Sequence, residues 1–283
     1  MKILLFGKGY IGQRCAQVWG DHAIVSDKKI FSVQDALEEI EKHHPDVVFN
    51  AAGVRGKPNV DWCETHQYET IEGNVKLPIN IAQACHQKGI YFLHIGSGCI
   101  FYGDSPDPKG WKEDDFANPI AFYSKTKYAA DLSLWNLPNV GIARIRVPLD
   151  SKPYSGNIID KLANYPKVID VENSITVIPD MIEVFYQLLE KKAAGIFHVT
   201  NPGWIKYRQI MQWYKDLVDK NHTNEWISEQ DLVDQGLTLK LRSTNKLQSI
   251  NLEKVGIMMR PIEEAVQDAM KQYAKESKTT NAA

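Results

Sequence analysis

The chain has 283 residues, 43% hydrophobic and 24% charged, with a formal net charge of -2. That length accommodates a nucleotide-binding domain with a smaller lobe, and the near-neutral balance argues against a general nucleic-acid binder or a membrane-surface binder. Cys15, Cys63, Cys85 and Cys99 show no metal-ligand spacing, no apolar run approaches the roughly 20 residues a bilayer crossing needs, and no signal peptide precedes the first apolar run; a cytoplasmic, metal-free protein acting on small ligands is expected.

Lys2-Ile3-Leu4-Leu5-Phe6 is a short continuous apolar run, the pattern of a buried parallel strand. Gly7-Lys8-Gly9-Tyr10-Ile11-Gly12 follows at once and opens a helical stretch to Trp19. Between a first strand and a first helix this spacing is a dinucleotide fingerprint. Gly7 makes the tight turn, Gly9 lets backbone approach a pyrophosphate, Gly12 packs helix on strand, and the helix N-terminal amides around Tyr10 and Ile11 hold the phosphates. The second strand, Ala23–Ser26, ends at Asp27-Lys28-Lys29, where the adenosine ribose should lie. Asp27 favours the 2′-hydroxyl of NAD, whereas Lys28 and Lys29 favour the extra phosphate of NADP; the reading leans to NADPH, with NADH as the alternative.

An amphipathic helix over residues 33–42 leads to a third strand, 47–49, which runs into Asn50-Ala51-Ala52-Gly53, where small residues leave room for the cofactor. Beyond it Arg55 and Lys57 are candidates to meet a phosphate or sugar, set against their plainer reading as exposed loop charges. The next helix, 70–87, contains Pro78, which predicts a kink or break, and Cys85 reads as core. The fourth strand, 91–95, leads to Gly96-Ser97-Gly98-Cys99. Ser97, just past the strand end, is placed to hydrogen-bond a substrate carbonyl. Cys99 is either a small buried hydrophobe or a group facing an opening, which Gly98 suggests.

Residues 104–118, rich in proline, glycine and charge, read as a surface loop or flap. Tyr123 and Lys127 then lie one above the other on a helix. An ammonium beside a phenol would lower its pKa from about 10 and let it give a proton to a forming alkoxide. A lone pair of this kind is more often a solvated helix face; the glycine turn and Ser97 upstream set this one apart. A fifth strand, 141–148, carries Arg144 and Arg146 on one face. Residues 157–162 begin a short helix, 195–200 return to the sheet, and helices follow over 206–217, 228–234 and 261–275. Arg242, in a loop between them, is a candidate clamp for phosphates. The expected fold is α/β, a Rossmann-type doubly wound parallel sheet with a smaller, mostly helical C-terminal substrate lobe. Residues 1–147 plus about 170–203 form the cofactor domain, about 148–169 plus 204–275 the lobe, and 276–283 a flexible tail.

Gly7, Gly9, Gly12, Asn50-Ala51-Ala52-Gly53, Ser97, Tyr123 and Lys127 together resemble an extended short-chain dehydrogenase/reductase over residues 1 to about 200. More narrowly, Phe49-Asn50-Ala51-Ala52-Gly53-Val54, Pro58-Asn59-Val60-Asp61-Trp62-Cys63-Glu64, Gly98-Cys99-Ile100-Phe101, Phe122-Tyr123-Ser124-Lys125-Thr126-Lys127 and Asn201-Pro202-Gly203 resemble the nucleotide-rhamnose synthase/epimerase-reductase family. The resemblance implies conversion of UDP-4-keto-6-deoxyglucose to UDP-L-rhamnose, by epimerisation at C3 and C5 and NADPH reduction at C4. It places Cys99 and Lys161 as the epimerising groups beside Ser97, Tyr123 and Lys127, with Arg55, Lys57, Asn157 and Arg242 as candidate substrate contacts. It also implies a homodimer and a separate 4,6-dehydratase supplying the keto sugar. A 4-ketone acidifies the C3 and C5 protons, and a thiol and a partly buried lysine can each exchange protons near neutrality; which removes and which returns the proton stays open. The flap before Tyr123 is shorter than in family members, serine stands where many have threonine, and the resemblance thins after Gly203. Two other readings are a reductase of a dTDP-linked 4-keto sugar, similar to dTDP-4-dehydrorhamnose reductase, and a non-catalytic NADP-binding regulatory subunit resembling the beta subunit of methionine adenosyltransferase.

Overall fold

The computed structural model describes residues 1–281. Strands and helices alternate through the first half: β1 (Ile3–Phe6), α1 (Tyr10–Trp19), β2 (Ala23–Ser26), α2 (Val33–His43), β3 (Val47–Asn50), α3 (Trp62–Thr65), α4 (Gln67–Ile71), α5 (Leu77–Lys88), β4 (Tyr91–Ser97), α6 (Phe122–Leu134) and β5 (Val140–Ile145). There follow β6 (Pro148–Leu149), α7 (Ile158–Asn164), β7 (Lys167–Ile169), β8 (Glu172–Asn173), β9 (Thr176–Val177), α8 (Ile178–Lys191) and β10 (Gly195–Val199). The chain ends with β11 (Ile205–Lys206), α9 (Tyr207–Leu217), β12 (Glu225–Ile227), α10 (Glu229–Asp234), α11 (Ile250–Lys254) and α12 (Ile262–Asn281).

Six strands form one sheet in the order β10-β5-β4-β3-β1-β2, with β1 to β4 paired in parallel. The chain steps outward from β1 to β2 and then crosses to β3 on the other side. The switch point of the doubly wound sheet therefore lies between β1 and β3, where such sheets bind ligands. Continuous apolar runs fit this position because a parallel sheet is covered on both faces. Leu4, Phe6, Val48, Phe92 and Ile142 pack with Ile40, Ile81 and Leu134 on one side. On the other, Phe49 meets Trp19 and Phe185, each at 5.2 Å between ring centroids. A capping box at Ser32 and Asp35 starts α2.

The chain divides into two units. The first comprises Met1–Ile100, Phe116–Arg144 and Ile182–Phe197; the second comprises Phe101–Asp115, Ile145–Met181 and the chain from His198 on. The core of the second unit gathers Leu149, Ile175, Val177, Ile210, Val266 and Met270 from short strands and from α9 and α12.

Several local expectations are corrected. The break expected at Pro78 is found, but it lies just ahead of the proline: the helix over 70–87 is split into α4, a π turn at Glu72–Lys76, and α5, with Pro78 in the first turn of α5, where its missing N–H costs nothing. Residues 101–115 are no free flap. Phe101 stacks on Trp111 at 4.8 Å, and the Trp111 backbone exchanges hydrogen bonds with Lys246 (2.7 Å) and Gln248 (2.8 Å) within the second unit. The stretch expected as a tail continues α12 to Asn281, since nothing from Ala274 to Asn281 is a glycine or proline stop; residues 282–283 lie outside the described residues. α8 has no counterpart among the expected elements.

Arg144 and Asp131, each 1% exposed, form an ion pair at 2.8 Å between β5 and α6. Asp131→Ala leaves a buried guanidinium without its carboxylate and should cost about 3–5 kcal/mol in urea unfolding; replacing both groups by apolar residues of similar volume should restore most of it, and an equal loss in single and double variants would count against the pairing.

Candidate active site

The parallel register places Phe6 opposite Asn50 and Asn50 opposite His94, so β1 and β3 leave the sheet at one level while β4 continues for three residues to Ser97. Gly7 turns with φ 109, and a Cβ on it would stand 2.4 Å from the Ala52 nitrogen. A Cβ on Gly12 would stand 2.0 Å from the Gly7 oxygen. Both glycines are required by the protein itself. At Gly9 a Cβ would meet nothing within 4 Å, and Gly9 caps α1 with no side-chain bond. An open cradle over helix amides suits a dinucleotide pyrophosphate, so the residues present fit that group. Around the expected ribose position Asp27 is ion-paired with Lys8, and Lys28 with Glu38 and, at 3.4 Å, Asp35. Lys28 is thus held by carboxylates of α2, while Lys29 stands exposed.

Asn50 and Ala52 form a turn in which the Ala52 amide donates to Asn50 Oδ1 at 3.0 Å. Asn74, in the π turn, clamps the next residues: its oxygen accepts from the Val54 amide, and its nitrogen donates to the Val54 carbonyl, both at 2.8 Å, and to Thr126 Oγ1 at 3.1 Å. This ties the end of β3 to α6. Glu64 accepts from the Phe122 amide at 2.7 Å and so fixes the first turn of α6, one residue before Tyr123. A π turn often marks such a functional position.

Ser97, Cys99, Arg55 and Tyr123 come together. Ser97 is 3% exposed and its Oγ accepts from the Cys99 amide at 3.2 Å. Burial pushes the Tyr123 phenol above its ordinary value, and the neighbouring Cys99 thiol pushes the same way; a Ser97 hydrogen bond and the Arg55 charge pull it back. The expectation that Lys127 lowers this phenol is not met. Lys127 Nζ donates instead to the Ile95 carbonyl at 2.7 Å and lies 3.1 Å from His94 Nε2. Burial brings Lys127 down to about 8, with Asp131 opposing. Tyr123 is therefore a loaded acid, held protonated, and suited to giving its proton to an alkoxide. Lys57 is exposed on the same rim as Arg55.

The second unit holds the remaining candidates. Lys161 is half-buried on α7. Asn157, expected to touch substrate, is fully buried and occupied with backbone: it accepts from the Asp150 (3.1 Å) and Ile159 (3.3 Å) amides and donates to the Asp150 (2.9 Å) and Lys152 (3.0 Å) carbonyls. It caps α7, the helix that carries Lys161. Arg242 is half-buried in a loop whose next residue, Ser243, offers its carbonyl to Arg146; Arg146 also donates to Asn173 at 2.6 Å. β5 ends at Ile145, and Arg146 beyond it is a buried loop anchor, while Arg144 is a partner of α6.

Sequence reasoning assigns no role to His94, Asn74, Glu64 or Asp131, because none of them sits in a motif that reports its contact. A histidine in the middle of an otherwise apolar strand is the one signal available.

A doubly wound sheet with a glycine cradle and a serine–tyrosine pair at its carboxyl edge defines a Rossmann-type oxidoreductase. The chain belongs to the family described as the RmlD substrate binding domain, whose model matches residues 1–274. It is 35% identical over 263 residues to the bifunctional dTDP-4-dehydrorhamnose 3,5-epimerase/dTDP-4-dehydrorhamnose reductase of Arabidopsis thaliana, covering 88% of this chain and 86% of that protein. The crystal structure of the L780 UDP-rhamnose synthase from Acanthamoeba polyphaga mimivirus superposes with a TM-score of 0.89 at 26% identity, covering 96% of this chain and 99% of that one. The fold is also that of a Bacillus anthracis dTDP-4-dehydrorhamnose reductase solved in complex with NADP, at TM-score 0.80 and 18% identity over 98% of this chain and 99% of that one.

Below about pH 8 the folded protein carries the full cost of burying the Lys127 ammonium; between about 8 and the ordinary value of 10.5 the unfolded chain binds more protons, so stability rises with pH. Relative to Lys127→Met, the wild type should gain roughly 3 kcal/mol between pH 7 and 10.5, read by urea unfolding of both proteins; a constant difference would show that Lys127 is not depressed.

Proposed function

We propose that the protein is a bifunctional 3,5-epimerase and NADPH-dependent 4-keto reductase converting UDP-4-keto-6-deoxyglucose to UDP-L-rhamnose. The observation that carries this reading is the place of Cys99, half-buried, bonded through its amide to Ser97, and near enough for its charge to act on Tyr123. A protein that only reduces C4 needs Ser97 and Tyr123 but no thiol there. Cys63 also acts on the phenol, yet it is fully buried, and burial pushes its thiol up, away from proton exchange.

NADPH, when bound, supplies the hydride for C4. The open face at Gly9 and the α1 amides hold its pyrophosphate, and Ala51, Ala52 and Gly53 leave room for its nicotinamide half. Ser97 hydrogen-bonds the C4 carbonyl, Tyr123 gives its proton to the oxygen as hydride arrives, and the two together stabilise the charge that develops there. Cys99 and Lys161 exchange the C3 and C5 protons that the ketone acidifies. Arg55, Lys57 and Arg242 are the candidate cations for the nucleotide phosphates. The same reading takes a homodimer in the cytosol and a separate 4,6-dehydratase as the source of substrate. A dTDP-linked keto sugar is the second reading, favoured by the likeness to the Arabidopsis protein.

With UDP-4-keto-6-deoxyglucose in heavy water, the wild type should oxidise NADPH and yield rhamnose carrying deuterium at C3 and C5. Cys99→Ser and Lys161→Ala should each cut deuterium entry by about 100-fold or more. Oxidation of NADPH without deuterium would reduce the assignment to a simple reductase, and activity with the dTDP sugar alone would move it to the second reading.

A further inference from the structure

Residues 243–248, directly after Arg242, lie outside every helix, yet their backbone is held from both sides by other segments of the second unit. The Ser243 carbonyl accepts from Arg146. The Asn245 amide donates to Asn173 Oδ1 and its carbonyl accepts from the Ser174 amide, each at 3.1 Å. On the other side the Lys246 carbonyl accepts from the Trp111 amide at 2.7 Å. A buried irregular stretch needs such partners one by one, because no helix or ladder supplies them.

Ser243, Asn245 and Phe101 close the turn with side-chain bonds whose directions are fixed. The Phe101 carbonyl can only accept, so the Asn245 atom 2.8 Å from it is the carboxamide nitrogen. Ser243 Oγ, 2.7 Å from the same carbonyl, places its one hydrogen there. At 2.9 Å from the Asn245 nitrogen it therefore accepts. Asn245 is 3% exposed, and Phe101 is fully buried and stacked on Trp111. One buried carboxamide thus ties the residue after Arg242 to the segment 101–115.

We propose that Asn245 is a positioning residue that sets the Arg242 guanidinium for the diphosphate of a nucleotide. The proposal rests on the reading of Arg242 as a cation for the nucleotide phosphates. A guanidinium meets phosphate oxygens through a planar fork, so its hold depends on direction as well as charge. A long side chain on a loose stretch has to be ordered by its ligand, and that ordering weakens binding. Leu239, Lys240 and Leu241, just before Arg242, are exposed, whereas the chain just after it is held on both sides. The fixed end of Arg242 is the one that Ser243 and Asn245 hold.

The test is calorimetric titration of the full chain with UDP and, separately, dTDP, in a cycle of wild type, Arg242→Gln, Asn245→Ala and the double variant. With the nucleotide that binds, Arg242→Gln should weaken affinity by about 10-fold or more. Asn245→Ala should weaken it by about 5-fold or more in the wild type, but by less than about 2-fold in the Arg242→Gln background. An unchanged affinity in Asn245→Ala, or an equal loss in both backgrounds, would overturn the proposal, because a merely structural asparagine does not act through Arg242. Should Asn245→Ala fail to fold, Ser243→Ala removes only the hydroxyl of the same cluster and must show the same dependence on Arg242. A wild type that binds neither nucleotide, or an Arg242→Gln that binds as the wild type does, would overturn the phosphate reading of Arg242 and the proposal with it. Binding does not depend on turnover, so the expected cycle in a protein that exchanges no deuterium into the keto sugar would support the role of Asn245 and sink the epimerase reading.

Discussion

The site depends on one constraint, the parallel register that sets the last residues of β1 and β3 level with His94 inside β4. Because Phe6, Asn50 and His94 stand side by side in β1, β3 and β4, the glycine turn meets Ala51 and Ala52, Asn50 reaches His94, and His94 reaches Lys127. A one-residue slip of any of these strands would turn its side chains to the opposite face and break each of these contacts at once. The apolar runs on both faces of the sheet hold that register, so the packing of β1, β3 and β4 is also what orients the polar chain from Asn50 through His94 to Lys127.

Burial then sets the charges. Tyr123 and Lys127 are one turn apart on α6, and their surroundings drive the phenol up and the ammonium down, so both tend toward neutral forms. This differs from a tyrosine activated by a permanent neighbouring cation. It suits a reductase, whose acid must be protonated when the hydride arrives. The Asp131–Arg144 pair anchors the same helix to β5 from beneath, and Glu64 and Asn74 fix its start and flank. Four side chains outside the glycine and Tyr-x-x-x-Lys motifs therefore place the Tyr123 phenol.

The sheet is legible in the sequence because each of its first four strands is an apolar run bounded by glycine, proline or a helix cap, and the glycine spacing alone locates the cradle. Ser97 and Tyr123 stand out by residue type and spacing, while Cys99 is singled out only by the family resemblance. The network behind them is not legible. Asn50 stands out for the turn it makes, but its bond to His94 joins residues 44 apart, and no local pattern reports such a contact. Lys127 is found by its spacing, yet the same spacing misplaces its partner: a helical repeat shows which side chains share a face, not which carbonyl or imidazole comes from a neighbouring strand. Asn157 misleads for a related reason, since an asparagine before a helix reads equally as a ligand contact or a cap, and here all its bonds go to backbone. The short strands of the second unit have two or three residues each, too few for any periodicity to appear.

A ketone serves both reactions proposed here, acidifying the flanking carbons and then accepting hydride; in the proposed function Cys99 takes part in the exchange and Tyr123 in the reduction. The most direct measurement is the heavy-water reaction of Tyr123→Phe, following NADPH absorbance and deuterium in the sugar together. The account predicts that deuterium still enters C3 and C5 while NADPH oxidation falls by about 100-fold or more. Loss of exchange along with reduction, or reduction that survives without the phenol, would contradict it.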